Sequence, residues 1–191
     1  MKKLLILITV FVLSIGTSFG LTTPRWDIRP IKVYIPQNNP LSKMAKKAFL
    51  HWQIATLSYI CFNFVNDDKR NEANITVHFP EDNSVCHSLT AMGCTHFKVT
   101  PKGFFTHNDI YIASKTYVLY KDNNGNTIKR SKNITDEDIY GTMLHEIGHA
   151  IGIYDHSRNP RSAMYKSSTR NRNISQTITF DDLKYLYHVY R

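Results

Sequence analysis

The sequence predicts an α+β domain in which a mixed sheet packs against helices. Three observations carry this. Short segments rich in β-branched and aromatic residues, bounded by Pro, Gly and Asn, fill the first two thirds together with one long helical pattern. The last third reads as a helix, a loop and a helix. A length of 191 residues with 42% apolar and 20% charged residues suits a single globular domain and excludes a collagen, a coiled coil or a disordered tail.

Taken in order, Ile31 to Ile35 alternates apolar and polar residues between Pro30 and Pro36, a half-buried strand. Asn39-Pro40 supplies a cap and a favoured first helical residue, and Leu41, Met44, Ala45, Ala48, Phe49, Trp52 and Ala55 then recur at helical spacing. Phe62 to Val65 and Ile75 to Phe79 are strands, the second with Ile75, Val77 and Phe79 on one face. Pro80 to Gly103 reads as a long loop with a strand at Phe97 to Val99, and Ile110 to Ala113 as another strand. Tyr117 to Lys121 and Thr127 to Lys129 flank Asn123-Asn124-Gly125-Asn126, a hairpin turn whose residues tolerate positive φ. Thr135 with Asp138 caps a helix running through Ile139, Met143 and Ile147 to Gly152. Tyr154 to Gln176 is irregular and polar; Thr179 with Asp182 then caps a closing helix with Leu183, Leu186, Tyr187 and Tyr190 on one stripe.

The start of the chain has a different character. Lys2 and Lys3 precede the apolar run Leu4 to Ile15, and Gly16 to Gly20 follow with small residues. The order basic, apolar, small is that of a secretory signal peptide, cleaved after Gly20, and the run is short for a membrane span. The expected location is therefore extracellular or periplasmic, without stable membrane insertion and without a lipid-anchor cysteine at the cleavage site. In an oxidising compartment Cys86 and Cys94 are close enough to pair, leaving Cys61 as a buried thiol in the run Tyr59 to Val65. Asn74-Ile75-Thr76, Asn133-Ile134-Thr135 and Asn173-Ile174-Ser175 are glycan acceptors only in a eukaryotic host. The formal charge is +9, but the basic residues are spread over Lys43, Lys46 and Lys47, then Lys129, Arg130 and Lys132, then Arg158, Arg161, Lys166, Arg170 and Arg172. No nucleic-acid-binding pattern accompanies them, so a solvated face is expected rather than a nucleic-acid partner.

His145-Glu146-Ile147-Gly148-His149 carries the chemistry. Two histidines four apart on a helix lie one turn from each other on nearly the same face, so both imidazoles can reach one ion. Glu146, offset by one residue, can reach a water on that ion. The pattern arises by chance in roughly one chain in a hundred, so it needs support. Gly152, three residues later, suits a sharp turn at positive φ, and beyond it Asp155 or His156 can fold back as a third ligand. Three or four extended residues span about 10 to 14 Å, enough for either. His51, His78 and His188 read as core-edge or surface residues.

Residues 145 to 165, HEIGHAIGIYDHSRNPRSAMY, resemble the zinc-binding helix, third-ligand segment and Met-turn of the metzincin metallopeptidases, closest to the matrixins. The Ala-, Phe- and Trp-rich helix after the first strand and the terminal FDDLKYLYHVY helix resemble the family more weakly. The resemblance implies a metzincin-like twisted sheet with a long N-terminal helix, an active-site helix, a Met-turn and a C-terminal helix, and a catalytic domain over residues 21 to 191. It implies zinc held by His145 and His149, Glu146 as catalytic base, and Met164 in the turn beneath the metal. For the third ligand it favours His156, because His156-Ser157 followed by Asn159-Pro160 is similar to some secreted bacterial matrixin-like proteases; snapalysin-like enzymes use an aspartate where Asp155 stands. The function implied is a secreted, monomeric zinc metalloendopeptidase that hydrolyses peptide bonds with a zinc-activated water and Glu146 as general base, acting on proteins or peptides laid beside an edge strand, for which Phe97 to Val99 is the expected segment.

The resemblance also implies that Tyr165 lines the pocket for the residue after the scissile bond, where Arg161, Lys166, Arg170 and Arg172 would favour acidic side chains. Matrixins are commonly held latent by a prosegment cysteine, and none stands between Gly20 and the first strand, so control is expected from secretion, metal supply or an inhibitor. His87, His96, His107, Asp82 and Asp109 match no metal-ligand spacing and read as loop-surface residues rather than a second site. Two other readings are a secreted basic binding protein with a structural, non-catalytic zinc site and a metallohydrolase of non-peptide substrates. Glu146 argues against the first, since a closed structural site has no use for that carboxylate.

Overall fold

The computed structural model describes residues 23–82, 84–88, 90–166 and 175–191. The expected signal peptide at residues 1–20, Arg170, Arg172 and most of the third glycan triplet lie outside them. Among the described residues no helix is long and apolar enough to cross a membrane.

The chain runs β1 (Ile31–Tyr34), α1 (Ser42–Ala55), β2 (Phe62–Val65), β3 (Ile75–His78), β4 (Gly93–Val99), β5 (Phe105–Ile112), β6 (Lys115–Lys121), β7 (Thr127–Asn133), α2 (Asp136–Ala150) and α3 (Phe180–Val189). Five strands form one sheet in the order β2-β1-β3-β5-β4, parallel except for β4, which pairs antiparallel with β5 and is an outer strand. β6 and β7 form a separate two-stranded hairpin. This is the mixed sheet packed on helices that the patterning predicts.

Several boundaries move. α1 starts at Ser42 rather than at Pro40, because Asn39 uses its side chain to accept from the Leu41 amide in a turn that precedes the helix. The expected strand at Phe97 to Val99 begins four residues earlier, at Gly93, and the strand expected at Ile110 to Ala113 starts at Phe105 and ends at Ile112. β7 continues past Lys129 to Asn133 through residues that are nearly all polar. Cys86 and Cys94 are disulfide-bonded, as the pairing reading expects, whereas Cys61 is free but only half-buried.

Helix α1 buries Ala45, Ala48, Phe49 and Trp52, one stripe at helical spacing, against the sheet and α2. Full burial of a side chain such as Phe49 contributes roughly 1.5–3 kcal/mol. The Trp52 indole donates to the Leu144 carbonyl at 2.9 Å, so α1 fixes the middle of α2 as well as covering it. Thr135 caps α2 by accepting from the Asp138 amide, and Asp136, Glu137 and Asp138 place negative charge where the helix dipole favours it. At the other end the Trp26 indole and the Asn108 amide both donate to the Ala150 carbonyl at 2.9 Å. The chain then turns at Gly152, whose φ of +118° few other residues adopt.

Inside α2, Gly148 is required by close packing. A Cβ there would lie 2.2 Å from the Met164 sulfur and 3.0 Å from the Trp52 ring, and both side chains are fully buried. Gly148→Ala is therefore expected to destabilise the protein by about 1–3 kcal/mol through overpacking. Thermal unfolding checks this as a midpoint lowered by about 2–10 °C.

Candidate metal centre

The half of α2 that follows Met143 carries His145, Glu146 and His149 towards a shallow cleft bounded by β4 and by the loop after Gly152. The loop folds back through the Ser157 amide, which donates to the Met164 carbonyl at 2.8 Å, and this return brings His156 over the helix. The three imidazoles make a nearly regular triangle, with ring centroids 4.7, 5.1 and 5.0 Å apart. One ligand atom from each lies within 4.8 Å of the others, and among the described residues this is the group of three metal-ligating side chains placed to hold a metal ion. Asp155, the rival third residue in the sequence, is exposed and outside this group, although its charge raises the proton affinity of His149 and His156.

The ring orientations are set from behind. His145 Nδ1 donates to the Ala163 carbonyl at 2.8 Å and His149 Nδ1 to the Ile153 carbonyl at 2.6 Å. A carbonyl only accepts, so both Nδ1 atoms carry hydrogen and both Nε2 atoms present lone pairs. Burial, reinforced by the neighbouring imidazoles, pushes His145 down to about 3 and His149 down to about 4, keeping both neutral. The two Nε2 atoms face each other at 3.1 Å.

The turn that carries Ala163 is itself anchored. Ser162 is fully buried, donates to the Asp182 carboxylate and accepts from the Met164 amide at 2.9 Å. Asp182 also closes the capping box of α3 with Thr179. The N-terminus of α3 therefore holds the Met164 turn, and the turn holds both the His145 ring and the packing under Gly148.

Glu146 is 6% exposed. Burial raises its carboxyl to about 7, against the opposing pull of the Thr95 hydroxyl, which donates to Oε2 at 2.8 Å. Thr95 and Gly93 on β4 are the site residues that sequence reasoning missed; their only signal is alternation along a strand whose start the turn residues obscured. The stretch of β4 beside the histidines is Gly93 to Phe97, so the edge segment expected at Phe97 to Val99 is displaced towards the start of the strand.

The five residues weighed as a second site are not part of the group placed to hold a metal ion. His107 and Asp109 lie on β5 rather than in a loop, and Asp109 Oδ1 receives His78 Nε2 at 2.8 Å and His107 Nε2 at 3.3 Å. His96 packs on Tyr111, and Asp82 accepts from the Ser84 amide.

The family model described as Matrixin matches residues 23–191. The chain belongs to the matrixin family. Matrixins bind zinc, and this matrixin is a zinc metalloendopeptidase whose substrates are proteins or peptides. No curated protein matches the chain. The donor set suits the metal: two neutral imidazoles pointing lone pairs at each other repel unless a cation lies between them, and nitrogen ligands of one tetrahedral zinc ion lie about 3.3 Å apart.

Proposed function

We propose that this matrixin is a secreted endopeptidase in which His145, His149 and His156 hold the zinc and Glu146 is the general base. The reading includes the signal peptide at residues 1–20, a catalytic domain over residues 21–191, a monomeric state and no nucleic-acid partner. The observation that carries it is the triangle of imidazoles with a buried carboxylate on the same helix, one residue along from His145. A structural site would complete itself with a fourth protein ligand, and the described residues offer none.

Bound zinc supplies a Lewis acid for the scissile carbonyl and lowers the pKa of water to near neutrality. The chain's own residues do the rest. Among the described residues β4 pairs only on its β5 side, and its other edge offers amides and carbonyls to an extended peptide and aligns its backbone along Gly93 to Phe97. Glu146 accepts the proton of the attacking water and passes it to the leaving amine. The carbonyls of Ala163 and Ile153 keep the imidazoles turned with Nε2 towards the metal position, and burial keeps the two rings neutral, so that zinc would retain its full positive charge.

A digest of a peptide library tests this. Internal cleavage is expected, abolished by a zinc chelator and restored by added zinc. Cleavage that survives complete metal removal, or a zinc-loaded protein that cuts no peptide, contradicts the reading.

A further inference from the structure

Strand β4 presents Gly93, Thr95 and Phe97 on the face that meets α2, as the two-residue period requires. Each does something different there. A Cβ at Gly93 would lie 2.7 Å from Thr142 Cγ2 and 2.8 Å from Glu146 Cγ, so only glycine lets the strand approach this closely. Phe97 stacks on Phe105 with centroids 5.6 Å apart and anchors that end of the strand in the core. Between them, Thr95 Oγ1 lies 2.8 Å from Glu146 Oε2 and 3.0 Å from the Glu146 main-chain oxygen.

We propose that Thr95 is the positioning residue for Glu146: its hydroxyl holds Oε2 against the edge strand and leaves Oε1 as the oxygen that works in the cleft. The inference rests on reading Glu146 as the base. Among the described residues Oε1 has no hydrogen-bond partner, while Glu146 lines the cleft together with the three histidines. A buried carboxylate with one oxygen tied and one free has a single orientation, which is what a base must have to meet a water in a fixed place.

The hydroxyl has one hydrogen and two acceptors within reach. It donates to Oε2 while Glu146 is a carboxylate. Once Glu146 has taken the water's proton on Oε1, Oε2 is the carbonyl oxygen of the neutral carboxyl and still accepts from the same hydroxyl. Thr95 thus partners both states of the base without movement of a carbon atom. The arrangement also ties the base to β4, so the segment that would align the peptide and the group that activates its attacker share one rigid element.

The test compares Thr95→Val and Thr95→Ser with the parent enzyme in kcat, KM, zinc content and crystal structure, and repeats the valine change in Glu146→Gln. Thr95→Val is expected to lower kcat about 10- to 100-fold with KM and zinc content unchanged, and its structure to show the carboxylate turned away from β4. Thr95→Ser restores the hydroxyl and should return kcat close to the parent value. In Glu146→Gln the valine change should have little further effect on kcat. An unchanged kcat in Thr95→Val, failure of serine to rescue, or the same fold-loss in the Glu146→Gln background overturns the role of Thr95 alone. Full activity of Glu146→Gln by itself overturns the base, and the role of Thr95 with it.

Discussion

Glu146→Gln is expected to bind zinc, keep its fold and lose peptide cleavage by about 10²- to 10⁴-fold in kcat. The change is nearly isosteric and removes one chemical property, the ability to take a proton. The Thr95 hydroxyl can still donate to the amide oxygen, so the packing between β4 and α2 should survive. Burying a neutral amide at a position 6% exposed costs less than burying a carboxylate, so thermal unfolding should show no loss of stability. Steady-state kinetics on one peptide, zinc analysis and a melting curve together read all three statements. The result separates the protease from a binding protein that keeps zinc only for its fold, because in the latter cleavage is absent from the start and the mutation changes nothing. Unaltered turnover with full zinc would show that the base is another group.

The second large effect concerns the third metal ligand. His156→Ala should weaken zinc retention more than about 100-fold, beyond the loss typical of residues that merely support a ligand. Asp155→Ala should leave the metal in place with a change of about tenfold or less. The geometry separates the two: His156 makes near-equal sides of the triangle with His145 and His149, at 5.1 and 5.0 Å between ring centroids, whereas Asp155 stands outside the group. Competition against a zinc indicator reads both variants, and the opposite ranking would give the position to Asp155.

Much of this site was legible in the sequence because its signals are local. Four-residue spacing on a helix, a glycine where the chain must turn, and Thr-x-x-Asp caps are short-range patterns, and the structure shows Thr135 and Thr179 capping and Gly152 at positive φ. What escaped depends on contacts between distant segments. The start of β4 reads Gly93-Cys94-Thr95-His96, without apolar alternation, because an outer strand exposes part of both faces. β7 lies in a hairpin separate from the main sheet and has no buried face to impose a pattern. Gly148 looks like an ordinary helix-weakening residue until Met164 is seen against it. Asp182 reads as a cap, and only the fold shows it holding Ser162 and, through that turn, the ring of His145.

The most direct measurement is X-ray absorption at the zinc edge on the loaded protein, paired with the same spectrum from His156→Ala. Three imidazole nitrogens at about 2.0–2.1 Å are predicted, with one imidazole missing from the variant. A carboxylate oxygen among the protein ligands, or identical spectra from the two proteins, would contradict the assignment on which the site, the base and its threonine partner all depend.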